Sequence, residues 1–417
     1  MGILIKILIG VLVSFYIFPI SFTFLPGINT KAILAVLGVI SFFFNYGKLS
    51  SIKLNIYLLV SAIIATVFSL VCLISADINH TDDYSYATYL ASFFVWISGA
   101  YFVGHCIRSY HGKFSFKLLT LYLLSVSMAQ CILALMIDNI PGFQVLVDSV
   151  VEQGQNFYQR VERLYGIGAA LDSAGVRFAV VLILTSAILS HDTEIRKSNA
   201  LLIYVLVSFF IVTIVGNMIS RTTMVGMIPA LVYFVFFSGL FKLEIFLDSI
   251  KLGVNFAFIL LLAVMISTYL YTYNEDFYIN MRFAFEGFFS WIETGEWRTG
   301  STDKLNSEMW IWPEDLKTWI IGSGVFGSFV YSTDIGYCRF ILYCGLVGFS
   351  SFALLFIYNT FVFIRVAKTY WVMFLILGAL TFIIWIKVST DIFFIYALFY
   401  SIDEFITKSE KSLIASE

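Results

Sequence analysis

The sequence predicts an all-α integral membrane protein with about twelve transmembrane helices. Three observations lead there. The chain is 60% hydrophobic and only 12% charged, whereas an average soluble domain carries roughly 25% charged residues. Its apolar residues gather into runs of about 18 or more, the length that crosses a bilayer core as a helix. Its lysines and arginines then fall mainly on alternate connections between those runs, as the positive-inside rule expects. Length alone, 417 residues, would suggest two or three soluble domains; composition points instead to a single polytopic membrane domain. The net charge of -2 comes with no basic patch, which argues against a nucleic-acid partner.

In chain order the candidate spans are 3–20, 31–46, 54–75, 87–107, 116–137, 174–190, 200–217, 223–240, 251–273, 338–363, 370–386 and 390–405, each boundary blurred by a few residues. The first has no small-residue cleavage motif after it and reads as a retained helix. With the N-terminus inside, the cytoplasmic connections hold Lys6, Lys48, Lys53, Arg108, Lys113, Lys117, Arg196, Lys197, Lys242, Lys251, Arg365, Lys368, Lys408 and Lys411. The short outer connections hold only Lys31, Arg221 and Lys387. Both termini are therefore expected in the cytoplasm, with the long loops 138–173 and 274–337 outside. Cys72, Cys106, Cys131, Cys338 and Cys344 lie in apolar runs without CxxC spacing, so neither a metal site nor a disulfide framework is expected.

The outer connections are where chemistry can reside. The first, 75–86, carries Asp77, His80, Asp82 and Asp83 and reads as a short solvated loop rather than a divalent-ion site. The next holds Arg160-Val-Glu-Arg163-Leu-Tyr-Gly-Ile-Gly168 and Leu171-Asp-Ser-Ala-Gly-Val-Arg177. Asp172 or Ser173 is placed to cap the following helix, and Arg177 then falls about one turn into an apolar span, where an arginine marks a functional site unless it snorkels to the interface. The turn Gly216-Asn-Met-Ile-Ser-Arg221-Thr-Thr-Met-Val-Gly226 sets an arginine and hydroxyls at an outer junction. A helix N-terminus after Ser220 would add free amides suited to an anion, and arginine's planar fork suits phosphate.

The long loop holds five of the eight tryptophans, Trp291, Trp297, Trp310, Trp312 and Trp319. Sugar-ring contact and anchoring at the membrane interface are both open readings of them. Phe283, Phe285, Phe288, Phe289 and Trp291 suggest an amphipathic helix lying on the membrane, which would put Glu286 and Glu293 on one face; a glycosidase-like carboxylate pair is conceivable there without being specific. Gly322-Ser-Gly-Val-Phe-Gly327 matches GxGxxG but follows no strand of a βαβ unit, and reads as a flexible turn. Asp334 and Arg339 follow at the outer end of the next helix, about 140° apart around its axis.

Three stretches carry a resemblance to the O-antigen polymerase (Wzy-type) family, related to the O-antigen ligases: Arg163-Leu-Tyr-Gly-Ile-Gly168 with Asp172-Ser-Ala-Gly-Val-Arg177; Ser220-Arg221-Thr-Thr-Met-Val-Gly226; and Ile321-Gly-Ser-Gly-Val-Phe-Gly327 with Thr333-Asp-Ile-Gly-Tyr337 and Gly345-Leu-Val-Gly348. The resemblance implies a GT-C-like glycosyltransferase in the bacterial inner membrane. It would polymerise undecaprenyl-diphosphate-linked oligosaccharide repeat units at the periplasmic face, without a cofactor or metal, and release undecaprenyl diphosphate; a chain-length regulator is a further implied partner. It also implies that Arg163, Arg177 and Arg221 hold the lipid diphosphate and that Asp334 stands where related ligases have a histidine. On this reading Asp334, Arg221 and Arg177 are the catalytic candidates, and Arg163, Asp172, Arg339, Trp312 and Trp319 bind substrate. The chemistry is consistent with the residues: arginines stabilise charge on a leaving diphosphate, and a carboxylate can take the acceptor's proton. An O-antigen ligase and a lipid-linked-oligosaccharide flippase are the competing readings.

Overall fold

The computed structural model describes residues 2–46, 55–160, 163–240, 247–327 and 330–407. Lys48, Lys53, Lys242, Lys408 and Lys411, used above for orientation, lie outside the described residues, as do Val161 and Glu162 of the first arginine stretch. In order, the elements are α1 (Gly2–Ile17), β1 (Ser21–Phe22), β2 (Leu25–Asn29), α2 (Thr30–Tyr46), α3 (Ile56–Ile78), α4 (Tyr89–His111), α5 (Phe116–Asn139), α6 (Pro141–Val150), β3 (Val151–Glu152), α7 (Gln155–Arg160) and α8 (Leu171–His191). There follow α9 (Thr193–Lys197), α10 (Asn199–Ile219), α11 (Thr223–Phe237), α12 (Leu247–Tyr273), α13 (Glu275–Ala284), α14 (Glu286–Thr294), α15 (Gly300–Glu308), α16 (Leu316–Ile321), α17 (Gly336–Val366), α18 (Trp371–Ile384) and α19 (Phe393–Phe399).

The helices start where a polar cap meets an apolar run. Asn55 accepts from the amides of Tyr57 and Leu58, Ser115 from Leu118, and Ser198 from Leu201, each satisfying orphan donors of a first turn. Among the described residues, seven helices are long and apolar enough to cross a membrane: α3, α4, α5, α8, α10, α12 and α17. Four more are apolar but shorter: α1, α2, α11 and the helix containing α18. The last expected span, 390–405, is not one helix: it holds the seven-residue α19 and the start of a separate helical stretch at 403–407, with α19 preceded by Asp391, whose carboxylate accepts from the Phe393 amide at 2.7 Å. The lipid-facing character is plain on α12, where Val254, Phe258, Leu261, Val264 and Met265 are all exposed; such a contiguous apolar surface belongs against lipid. The chain is thus a multi-pass helical membrane protein. It is not wholly α: a small antiparallel sheet in the order β2-β1-β3 pairs Ser21 with Glu152 and Phe22 with Val151.

The chain forms two compact units, Met1–Ile33 with Cys106–Trp297, and Leu34–His105 with Arg298–Glu417. The centre of the first is α8, whose residues from Phe178 to Ser190 are all buried, as expected of a helix apolar on every side. It packs chiefly against α11, α10 and α5. The loop 138–173 is pinned to this core: Gln130 accepts from the Ile167 amide at 2.8 Å, and Gln153 from that of Gly168 at 2.7 Å.

The second unit centres on α17 packed against α3 and α18, with fully buried Trp385 amid Phe340, Phe352 and Phe356. Helix α17 is broken at Gly345 (φ 65°, ψ −175°). A Cβ there would also lie 2.2 Å from the Ile320 carbonyl oxygen, so only glycine permits both this backbone and the close approach of α16. The break frees carbonyls that the glycine-rich turn takes up: Ser323 N donates to Leu342 O at 2.7 Å, and Gly324 N to Tyr343 O at 3.0 Å.

Candidate functional site

The first unit gathers the arginines. Arg163 follows α7, its amide donating to the Tyr158 carbonyl at 3.0 Å. Arg221 sits in the turn between α10, which ends at Ser220, and α11, which begins at Thr223. The two guanidinium groups share one aromatic ring: Arg163 lies 3.8 Å and Arg221 4.5 Å from the centroid of Phe283, on α13. Burial pulls both below the usual arginine range. For Arg221 the charge of Arg163 pulls further, and Asp172 opposes the fall at both.

Two carboxylates balance the pair, and they are held differently. Asp172 accepts from Ser220 Oγ at 3.2 Å and from the Thr222 hydroxyl. This is possible because Gly175 lets the turn lie against α8; a Cβ there would meet Ser220 Oγ at 2.6 Å. Neither Asp172 nor Ser173 caps α8, contrary to expectation: Ala170 holds the cap position, and Ser173 Oγ bonds back to its carbonyl at 3.0 Å. The second carboxylate, Glu286 at the start of α14, pairs with Arg221. The helix expected to follow Ser220 starts three residues later, with Thr222 at its cap.

Arg177 lies about two turns into α8 rather than one. Its Nη1 donates to the Ser173 carbonyl at 2.5 Å, and its guanidinium stands 5.9 Å from the Phe18 ring.

Two spaces adjoin the pair. One is a polar cavity of about 450 Å³ lined by Asp138, Gln144, Tyr158, Arg163, Tyr165, Asp276 and Asn280. The other is an apolar groove of about 800 Å³ between α10, α11 and α12, closed at one end by Met281, Phe285 and Phe289. Phe283 and Glu286, which touch the arginines, are immediate neighbours of those end residues in the chain. Arg163 itself lines the polar cavity, and the apolar groove lies in the same unit.

The remaining candidates belong to the second unit. Arg339 lies 3.9 Å from the Phe326 ring centroid, donates to the Phe326 carbonyl at 2.6 Å and to Ser389 Oγ at 3.0 Å; it clamps the glycine-rich turn. Asp334 is exposed just before α17, whose cap residue is Ile335. Trp312 stacks on Trp319 at 5.8 Å and 13°, and Trp310 adjoins Trp312 at 5.7 Å, leaving an aromatic ledge with Trp310 and Trp312 each 40% exposed.

Sequence reasoning missed Phe283, the pairing of Glu286, and the role of Asp83. The expected single membrane-lying helix is two, broken at Phe285 (φ −117°, ψ 28°). Glu286 and Glu293 are each matched to an arginine, Arg221 and Arg282. The 75–86 connection is structural rather than merely solvated. Asp83 Oδ2 accepts from the amides of Phe326 and Gly327, each at 2.6 Å, Thr81 Oγ1 donates to Gly324 O at 2.7 Å, and Asn79 to Gly322 O at 3.0 Å. Burial opposes the Asp83 charge, but these amides and Ser85 outweigh it and hold its pKa below the usual carboxylate value. Comparison with protein-family models, characterised proteins and solved structures finds no match.

Proposed function

We propose that this protein is a membrane glycosyltransferase of the O-antigen polymerase type. It would transfer a growing glycan from its undecaprenyl diphosphate carrier to a sugar hydroxyl of the incoming lipid-linked repeat unit at the periplasmic face of a bacterial inner membrane. The reading includes a GT-C-like arrangement of about twelve spans, with both termini cytoplasmic.

One observation carries it: Arg163 and Arg221 meet on Phe283, Arg163 also lines a polar cavity, and the same unit holds an apolar groove. A prenyl-diphosphate glycan has an anionic, a polar and an apolar part to match them. The groove suits the tail, the guanidinium pair the diphosphate, and the hydrogen-bonding walls of the cavity the first sugars. In the transfer, the C1–O bond to the diphosphate breaks while C1 bonds to the acceptor oxygen. Arg221 and Arg163 stabilise the charge gathering on the departing diphosphate. Arg177 adds positive charge along α8, and Asp172 fixes the turn that presents Arg221. The acceptor proton passes to a carboxylate. The Trp312–Trp319 ledge offers an aromatic face for glycan rings, and Arg339 serves by holding the turn after Gly322.

The break of α17 at Gly345 favours a second reading, because interrupted membrane helices build the sites of many transporters. The freed carbonyls are, however, taken by Ser323 and Gly324. The surface-polysaccharide profile with and without the gene tests the assignment. Loss of a polymerase leaves single repeats attached to the surface lipid, loss of a ligase leaves polymer made but unattached, and loss of a flippase leaves no repeat units exported.

A further inference from the structure

The contact between Glu286 and Arg221 bears on how the site is occupied. Two like charges on one ring disfavour each other, so the pair needs anions beside it. Asp172 is a fixed one, on the most buried helix and bonded to Ser220 and Thr222. Glu286 is of another kind. It is the first residue of α14, outside α8, α10 and α11, and its side chain, 39% exposed, is more open to solvent than that of Arg221, 17% exposed.

Glu286 also sits on the segment that touches both parts of an amphiphile's site. Phe285 and Phe289 close the apolar groove, while Phe283 carries the arginines. Arg282 and Glu293 tie α13 to α14, so the two short helices are coupled.

We infer that Glu286 is a displaceable stand-in for the substrate's phosphate: a latch that competes with a prenyl-linked diphosphate for Arg221 and is expelled when that diphosphate enters. This rests on reading the arginine pair as a diphosphate seat. A diphosphate carries more charge and more acceptor oxygens than one carboxylate, and a fork of guanidinium donors favours it. The latch therefore rejects weak anions and yields to the lipid-linked one. A site closed by its own side chain about nine-tenths of the time binds about tenfold more weakly than an open one.

The test uses the full chain in nanodiscs, with farnesyl diphosphate as probe and farnesol as the phosphate-free control. Glu286→Gln, which keeps a hydrogen-bonding side chain but removes the charge, is expected to bind farnesyl diphosphate about tenfold more tightly and farnesol unchanged. Glu286→Ala should behave alike, so that a folding defect in one variant leaves the other to report. In elongation assays KM should fall with kcat little altered, a split that a purely structural role would not produce. Arg221→Ala should lose farnesyl diphosphate binding, and adding Glu286→Gln to it should restore none. Tight binding by wild type, lost in Arg221→Ala but unchanged or weakened in both Glu286 variants, overturns the latch and leaves the diphosphate seat standing. Absence of binding by wild type and the Glu286 variants alike overturns both.

Discussion

The two halves of the long polar stretch after α12 satisfy their charges in different ways. In the half ending at Trp297, charged side chains meet other charged side chains: Arg221 with Glu286, Arg282 with Glu293, and Arg163 and Arg221 on Phe283. In the half beginning at Arg298, apart from the exposed Arg298–Asp303 pair at 3.2 Å, charge meets backbone: the Phe326 and Gly327 amides donate to Asp83, and Arg339 donates to the Phe326 carbonyl. A carboxylate on backbone amides is part of the scaffold, because removing it strands donors that nothing else reaches. A carboxylate on an arginine can be exchanged for another anion. That difference separates exchangeable charge pairs from the frame, within a stretch that the sequence presents as one long loop.

The comparison can be broken at several points. The largest effect is expected at Arg221. Arg221→Ala should lower polymer elongation by about 10²–10³-fold, the scale seen when one donor to a developing oxyanion is removed, while the protein inserts and folds normally. Chain-length profiles on gels read this directly, and full-length polymer from the variant would contradict the seat. The corresponding change in the frame is Gly345→Ala. It forces a non-glycine residue into a left-handed conformation costing of order 1–3 kcal/mol, and adds the clash with Ile320. The expected outcome is loss of folded protein from the membrane, read by fluorescence-detected size exclusion.

Asp83→Ala should destabilise the 322–327 turn by about 1–3 kcal/mol for an amide left without its partner, seen as faster hydrogen exchange in that segment. The same contact has a pH signature. The Asp83 pKa is depressed in the folded protein, so its contribution is complete above the unfolded value of about 4 and is lost as pH falls through the lower folded value. Protection of the turn should hold at neutral pH and fade only in acid. The smallest effect belongs to the aromatic ledge. Trp312→Ala should raise KM for the glycan by about three- to tenfold, in line with roughly 0.5–1.5 kcal/mol for one aromatic contact, with kcat little changed.

How far the sequence reached follows the same division. Hydropathy runs place the membrane helices because burial in lipid acts on local composition, and α8 and α10 fall close to the expected spans. The arginine stretches stood out because charge at the end of an apolar run is rare. Phe283 did not stand out: a phenylalanine among Phe285, Phe288 and Phe289 looks like one more membrane-facing ring, and only the fold brings Arg163 and Arg221 to it across more than a hundred and about sixty residues of chain. The clamp on the glycine-rich turn was hidden for the same reason, since Asp83 and Phe326 are 243 residues apart. The strands β1 and β3 were too short to leave a period-2 pattern. The final span misled because Phe393–Phe399 is apolar enough to suggest a membrane helix, yet the helix is seven residues long.

The most direct test of the central claim is elongation by the purified protein. The full chain in nanodiscs is given a synthetic prenyl-diphosphate-linked oligosaccharide, with no nucleotide sugar and with a metal chelator present, and the products are resolved by mass. The account predicts a ladder of lipid-linked glycans, each longer by one repeat, with prenyl diphosphate released in step and with Arg163→Ala and Arg221→Ala both inactive. An intact substrate after incubation with well-folded wild-type protein, or a ladder unaffected by both substitutions, would contradict it.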